Sequence, residues 1–293
     1  MMKERAFAKI NLALDVVSRR EDGYHELRMI MVPIMLHDLI YINQIEEGIE
    51  ITSNHPFVPT NQKNIMYKAA KAMIDQFNIP FGVSITIYKH IPIQAGLGGG
   101  SADGAAVLRA MNSMFDLQLS KEELARIGKE VGSDIPFCIY QQYAYVQGIG
   151  EKLEFIKSDF DCYVLLVKPK KGISTKVAFE TLDLSTCDHP DIINMKEKMI
   201  INDYQGVVDC LGNSLEQPSL TLVEDIKNIK EELVSFGFDG ALMSGSGSCV
   251  FGLTKDREVV ERGYLQFKKK YPFVNKTKLK RQNESWEEYA ENS

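Results

Sequence analysis

The chain has 293 residues, 44% of them hydrophobic and 25% charged, which is the balance of a globular protein with one large or two medium domains. Its net charge of −6 at pH 7 argues against nucleic acid or an anionic membrane as a partner, because both call for a basic surface. Five scattered cysteines with no CxxC pair argue against a disulfide framework or a zinc site and indicate reduced thiols in a cytoplasmic protein.

The N-terminal half is predicted to contain both strands and helices. Apolar residues alternate from Ala6 to Val16, which predicts a strand with Lys9 and Asn11 together on its second face. These polar residues interrupt the apolar stretch, so we expect neither a signal peptide nor a membrane span there. The patterns that follow predict strands at 36–45, 47–52 and 82–93, helices at 64–79, 102–115 and 119–132, and a loop at 133–140.

The helix at 119–132 carries signals at both ends. Ser120 and Glu123 form a capping box at its start. Gly132 stands just past its end, where a left-handed glycine is common. These signals predict the limits of this helix more sharply than those of the others.

The second half begins after a polar segment. Residues 157–161 are polar and a buried-type strand follows, which predicts two domains, 1–157 and 158–293. Further strands are predicted within 143–156, at 162–175, 241–243 and 249–254, and helices at 221–237 and 256–271. The polar tail from Lys278 onward is expected to fray. Because hairpin-like strand pairs precede the helices, the predicted fold class is α+β.

A glycine-rich loop lies between a predicted strand and a predicted helix. Residues 96–100 read Gly-Leu-Gly-Gly-Gly. No Lys-Ser or Lys-Thr follows, which excludes a Walker A loop, and the sixth position of a GxGxxG motif is Ser101 or Asp103, which excludes a Rossmann fingerprint. A turn without a ligand needs only one or two glycines. The order strand, glycine loop, helix therefore predicts a phosphate cradle, with backbone N–H groups and the helix N-terminus as donors.

The segment PIQAGLGGGSA, residues 92–102, resembles the phosphate-binding motif of the GHMP kinases. Three further segments occur in the same order as in that family: FAKINLALDVVSRREDGYHEL, VGSDIPFCIY and ALMSGSGSCVFGL. The first is similar to one branch of the family, the 4-diphosphocytidyl-2-C-methyl-D-erythritol kinases of the non-mevalonate isoprenoid pathway. The resemblance covers roughly residues 6–253, and NSLEQ at 213–217 departs from the Asn-Asp-Leu-Glu that is usual there.

The resemblance implies a two-domain GHMP kinase fold and a reaction. The N-terminal domain would be ribosomal protein S5 domain 2-like and bind ATP, and the C-terminal domain would be a ferredoxin-like α/β sandwich. Lys9 and Asp134 match the catalytic residues. Asp134 would take the proton of the acceptor alcohol, and Lys9 would pair with it and bear on the transferring phosphoryl group. Without the resemblance, Lys9 would be interpreted as an exposed strand lysine and Asp134 as a turn residue capping its own backbone.

The resemblance also implies the binding residues. Those for ATP, with Mg²⁺, are Lys89, Pro92, Ile93, Gln94, Ala95, Gly96, Leu97, Gly98, Gly99, Gly100, Ser101 and Ala102. Those for the substrate are Asn11, Tyr24, His25, Thr175, Phe179, Gly245, Ser246 and Gly247. Two of these residues have open alternatives: Lys89 faces the nucleotide or solvent, and Ser101 caps the helix, reaches the metal ion, or does both.

The implied activity is ATP-dependent phosphorylation of the 2-hydroxyl of 4-diphosphocytidyl-2-C-methyl-D-erythritol. Two alternatives stay open, namely a GHMP kinase for another small alcohol and a nucleotide-binding relative without catalysis. DGYHEL at 22–27 and Phe179 favour the cytidyl-methylerythritol kinase over these alternatives, because they suit an aromatic nucleobase that homoserine, mevalonate and sugars lack. We expect a monomer or homodimer that binds neither nucleic acid nor membrane.

Overall fold

The computed structural model describes residues 1–281, which form two compact units. The first unit contains residues 1–8, 36–91 and 98–141, and the second contains 9–35, 92–97 and the chain from 142 onward. Two long strands, β1 (Met2–Arg19) and β2 (His25–Ile45), contribute residues to both units. The predicted domain limits of 1–157 and 158–293 stay a prediction.

The first unit combines a small sheet with four helices within the described chain. Strand β3 (Ile49–Ser53) pairs parallel with β4 (Gly82–Tyr88), and β4 pairs antiparallel with the end of β2. The helices are α1 (Ile65–Phe77), α2 (Gly99–Met114), α3 (Lys121–Val131) and α4 (Ile135–Tyr140). Helix α2 packs against each of the other three and buries most of its apolar residues, so the end of the glycine loop rests on a fixed support.

Gly132 ends α3 differently from the prediction. The capping box of Ser120 and Glu123 is present, but Gly132 has an extended backbone with φ of −174° rather than a left-handed one. A Cβ at Gly132 would lie 3.1 Å from Ile65 Cδ1 and 3.5 Å from Ile135 Cδ1. The narrow space beside Ile65 and Ile135 therefore explains why a glycine stands at position 132. Its backbone conformation does not, because other residues adopt an extended backbone equally well.

The second unit contains β5 (Ala144–Gly148), β6 (Lys152–Phe155) and β8 (Gly212–Asn213). Strand β5 pairs antiparallel with β2 and with β6, and β8 pairs parallel with β1. Its helices within the described chain are α5 (Thr175–Glu180), α6 (Ile192–Ile200), α7 (Tyr204–Asp209), α8 (Glu216–Leu222), α9 (Asp225–Phe236) and α10 (Arg257–Phe267).

A separate antiparallel sheet of four strands, counted over residues 1–281, completes the second unit. Its strands are β7 (Tyr163–Lys168), β9 (Gly240–Met243), β10 (Val250–Thr254) and β11 (Phe273–Lys278), in the order β11-β7-β10-β9. This order is that of a ferredoxin-like fold, with α9 and α10 packed on the sheet. Mixed strands and helices of this kind confirm the predicted α+β class.

Several predicted elements have different limits. Strand β2 begins at His25 rather than at residue 36, the predicted loop at 133–140 contains α4, and the predicted helix at 221–237 is divided between α8 and α9. Pro136 is compatible with α4 because it lies in the first turn, where its missing N–H has no intrahelical partner to lose. None of the helices formed by residues 1–281 has the length and apolar character that crossing a membrane requires.

The predicted fraying of the tail is wrong for its first residues. Lys278 ends β11, which pairs with β7, and Leu279 is fully buried and bridges to Ile34. Burial of one leucine and pairing with a central strand hold this part of the tail in place despite its polar composition. The rest of the predicted tail, residues 282–293, lies outside the described residues.

Candidate functional site

The first half of the glycine loop, residues 92–97, packs on a second glycine motif, SGSGS at residues 244–248. Cys249 N donates to Ala95 O at 3.2 Å, and Ser244 Oγ donates to Gly96 O at 3.1 Å. Gly96 has φ of +73°, and a Cβ there would lie 1.8 Å from Ser244 O. Glycine is thus required at position 96 for two reasons. The backbone is left-handed there, and it lies so close to the backbone of Ser244 that there is no room for a Cβ.

We expect Gly96→Ala to destabilise the fold more than a matched glycine change. Gly48→Ala is the control, because Gly48 has φ of +81° and nothing within 4 Å of the added Cβ. The control should lose about 1–2 kcal/mol from the left-handed backbone alone. Gly96→Ala should lose about 1–3 kcal/mol more, because the methyl group must displace backbone. Urea midpoints of the two variants measure the difference, and equal midpoints would argue against a tight contact at Gly96.

The second half of the loop, residues 98–102, opens helix α2 in the first unit. Gly98 is the N-cap with φ of +68°, and Ala102 N donates to Gly98 O at 2.9 Å. The helix therefore begins at Gly99 rather than at residue 102, and Ser101 is its third residue. The capping alternative for Ser101 is wrong, because the N-cap position is held by Gly98. Glycine has no Cβ and therefore adopts the left-handed backbone of this position without strain. The first N–H groups of this 16-residue helix have no intrahelical acceptor and can donate to an anion.

Lys9 and Asn11 lie side by side in the second unit, as the alternation of β1 predicts. Lys9 is 5% exposed and Asn11 is fully buried. Lys9 Nζ donates to Asn11 Oδ1 at 2.6 Å and to Gly96 O at 2.9 Å. A Cβ at Gly245 would lie 3.2 Å from Lys9 Nζ, so the second glycine motif also borders the ammonium group. The interpretation of Lys9 as an exposed strand lysine is wrong.

Asp134 immediately precedes α4 in the first unit. Its backbone carbonyl accepts the first helical hydrogen bond, from Cys138 N at 3.1 Å, but its carboxylate makes no capping hydrogen bond. Asp134 is half-buried. The interpretation as a residue that caps its own backbone is therefore wrong.

Lys89 does not face solvent, because its side chain is 5% exposed. Its ammonium group lies between the carboxylates of Asp38 and Asp103. Burial by itself lowers the pKa of Lys89, but the two carboxylates outweigh it and hold the pKa above its usual value.

Two of the predicted substrate residues, His25 of DGYHEL and Phe179 of α5, come together within the second unit. The rings of His25 and Phe179 stack with centroids 4.9 Å apart. Tyr24, which precedes His25 in sequence, is 61% exposed. Burial, followed by the charge of Arg19, lowers the pKa of His25, so its imidazole is neutral at pH 7 and can donate and accept.

Thr175 and Ser246 connect α5 to the second glycine motif. Their hydroxyl oxygens lie 3.0 Å apart, within hydrogen-bond distance. Gly247 belongs to the same motif and has φ of +81°. Among residues 1–281, no group of three or more His, Cys, Asp or Glu side chains could hold a metal ion.

Comparisons with known proteins agree with this geometry. Two family models match, GHMP kinases N terminal domain over residues 64–142 and GHMP kinases C terminal over residues 194–272. A 4-diphosphocytidyl-2-C-methyl-D-erythritol kinase of Bacillus cereus is 44% identical over 89% of this chain and 90% of its own length. The chain belongs to the GHMP kinase family. The predictions of the family and of a small-molecule kinase are confirmed.

Solved structures agree with the GHMP kinase fold. A 4-(cytidine 5'-diphospho)-2C-methyl-D-erythritol kinase superposes with a TM-score of 0.81 at 29% identity, over 95% of this chain and 99% of its own. A homoserine kinase from Cytophaga hutchinsonii superposes with a TM-score of 0.74 at 16% identity, over 96% of each chain. The homoserine kinase supports the fold alone, because its identity is low.

Asn213 contacts the predicted substrate residue Gly245 of this GHMP kinase and was not itself predicted from the sequence. Its Nδ2 donates to Met243 O at 2.9 Å and to Gly245 O at 2.8 Å, and its Oδ1 accepts from Leu215 N at 2.9 Å. Asn213 is 4% exposed, so these bonds fix the start of the second glycine motif. The departure of NSLEQ from the family pattern marked this segment, but only the fold shows what Asn213 holds.

Proposed function

We propose that this GHMP kinase transfers the γ-phosphoryl group of ATP to the 2-hydroxyl of 4-diphosphocytidyl-2-C-methyl-D-erythritol, a precursor in isoprenoid synthesis. The observation that carries the choice of acceptor is the stacked pair of His25 and Phe179. An aromatic face beside a neutral histidine suits a cytosine ring, which can stack and hydrogen-bond. The relative at 44% identity carries the name of this activity.

The glycine loop supplies the donors for the nucleotide in this proposal. The backbone N–H groups at the start of α2 and the positive end of its dipole hold the phosphates. Mg²⁺ would neutralise phosphate charge, and it binds proteins mostly through one or two ligands plus substrate phosphates. Ser101, the third residue of α2, is the residue of the chain that would reach the metal ion beside the phosphates.

Lys9 and Asp134 act on the reacting groups in this proposal. Asp134 orients the 2-hydroxyl and accepts its proton as the oxygen attacks the γ-phosphorus, and ADP leaves. Lys9 is held by Asn11 and by Gly96 O, and its charge offsets the negative charge on the transferring group. The enzyme would act in the cytoplasm as a monomer or homodimer.

An acceptor panel tests the proposal. ADP release is measured with ATP, Mg²⁺ and, in separate reactions, the cytidyl-methylerythritol, homoserine and mevalonate. We expect turnover with the first alone. Turnover with another alcohol only would assign the enzyme to a different GHMP branch, and binding of ATP without turnover of any acceptor would favour a non-catalytic role.

We expect Phe179→Ala to raise KM for the cytidyl-methylerythritol and leave KM for ATP unchanged. Loss of base stacking costs about 1–3 kcal/mol, which corresponds to a rise of roughly fivefold to 150-fold. Phe57→Ala is the control, because Phe57 is 76% exposed in the first unit. Steady-state kinetics with each substrate varied in turn checks this. Equal rises in both KM values would point to a general disturbance of the fold.

A further inference from the structure

Three buried charged residues of the first unit flank the glycine loop. The side chains of Asp38, Lys89 and Asp103 are 0%, 5% and 6% exposed. Lys89 is three residues before Pro92, and Asp103 is the fifth residue of α2. The cluster therefore joins the chain that enters the loop to the helix that leaves it.

Asp38 holds the entering chain by several bonds. Its Oδ1 accepts from His90 N and, at 2.8 Å, from Ile91 N, and its Oδ2 accepts from Lys89 Nζ. One carboxylate thus fixes three consecutive residues. Since Ile91 directly precedes Pro92, the position of Asp38 sets where the loop begins.

Lys89 extends this attachment to the helix. Its Nζ also donates to Asp103 Oδ2 at 2.8 Å. A Cβ at Gly99, the first residue of α2, would lie 3.3 Å from the same nitrogen. The ammonium group therefore lies directly beside the end of the loop, enclosed by protein and committed to two carboxylates.

The balance of charge in the cluster also argues against a free cation. Asp103 Oδ1 is buried without a hydrogen-bond partner. Burial raises the pKa of Asp103 well above its usual range, and the nearby carboxylate of Asp38 adds to the rise. The charge of the Asp38 carboxylate by itself balances that of the Lys89 ammonium group, so a neutral Asp103 still leaves no excess positive charge at this point to attract a phosphate.

We propose that Asp38, Lys89 and Asp103 form a clasp that fixes the two ends of the glycine loop, so that Lys89 supports nucleotide binding by positioning the loop rather than by contacting the nucleotide. Asp103 is then a positioning residue that acts through Lys89, and Asp38 is one that acts through Lys89 and through its own bonds to His90 N and Ile91 N. The inference rests on the proposed function only in taking the loop to bind ATP.

A double-mutant cycle separates the clasp from a direct contact. The dissociation constant of a non-hydrolysable ATP analogue is measured for Lys89→Met, Asp38→Asn and the double variant. A clasp predicts a loss of at least about tenfold in each single variant and little further loss in the double variant, because either change already breaks it. A direct contact predicts that Asp38→Asn leaves or improves affinity and that Lys89→Met adds its full effect in the double variant, and this result would overturn the proposal.

Hydrogen exchange of the loop amides provides a second readout. Asp103→Asn keeps the size of the side chain and should fold even if the other variants do not. It should speed exchange at residues 90, 91 and 96–100, and unchanged exchange together with unchanged affinity would refute the clasp. Lys71→Met and Asp75→Asn are the controls, because this 2.7 Å pair is more than half exposed on α1. If the unmodified protein binds no ATP analogue, the proposed function fails, and the exchange data alone decide on the clasp.

Discussion

Asp134→Asn should lower kcat by about 10²–10⁴-fold, the usual contribution of a positioned proton acceptor. An amide has the size of the carboxylate but cannot take the proton of the alcohol. The fold should tolerate the change, because the Asp134 carboxylate makes no capping bond to α4. We therefore expect the urea midpoint and the affinity for an ATP analogue to stay as in the unmodified enzyme.

Measuring both kcat and the urea midpoint distinguishes a catalytic role of Asp134 from a structural one. Asp159→Asn, the same chemical change at an exposed position in the second unit, is the control and should retain full activity. A kcat for Asp134→Asn within threefold of the unmodified enzyme, at equal stability, would remove Asp134 from the mechanism. A large fall in the urea midpoint would instead assign it a structural role.

Lys9→Met should lower kcat by about 10²–10³-fold, the cost of removing one donor that faces charge developing in the transition state. It should also destabilise the protein, because Asn11 Oδ1 and Gly96 O each lose a donor within the protein. Gly96 O keeps the Ser244 hydroxyl as a donor, whereas Asn11 Oδ1 loses its lysine donor, and a buried acceptor left without a partner costs about 1–3 kcal/mol. Methionine keeps most of the aliphatic stem, so the change removes the charge and little volume.

The control for Lys9→Met lies on the same strand. Lys3 is exposed near the start of β1, so Lys3→Met should change neither kcat nor the urea midpoint. Lys9→Met with lowered stability but normal kcat would show that Lys9 only supports the glycine loop. Measurement of kcat at saturating concentrations of both substrates distinguishes these outcomes.

Features that depend on neighbouring residues could be predicted from the sequence. Alternation in β1 places Lys9 and Asn11 on one face, and the spacing of the glycines excludes two other phosphate loops. The stacking of His25 with Phe179 was anticipated only as two residues near one base, through the family resemblance. In each case the information lies in neighbouring residues or in a motif that can be matched along the chain.

The rest depends on contacts between distant segments. Gly96 contacts Ser244, which is 148 residues away along the chain, and Lys89 contacts Asp38, which is 51 residues away. Contacts between residues so far apart produce no periodic pattern in the sequence. Capping was one of the alternatives for Ser101 because serine favours that position, but Gly98, with a left-handed backbone, is the N-cap of α2. Helix α4 was missed because six residues after a Gly-Ser-Asp turn are too short for a helical pattern to emerge.

Analysis of the reaction product tests the proposed activity most directly. The enzyme is incubated with ATP, Mg²⁺ and 4-diphosphocytidyl-2-C-methyl-D-erythritol, and the product is analysed by mass spectrometry and phosphorus NMR. The account predicts one added phosphoryl group, seen as a phosphomonoester on the 2-hydroxyl, with the diphosphate link intact and one ADP released per product. Phosphorylation at another position, or ADP release without a phosphorylated cytidyl product, would contradict it.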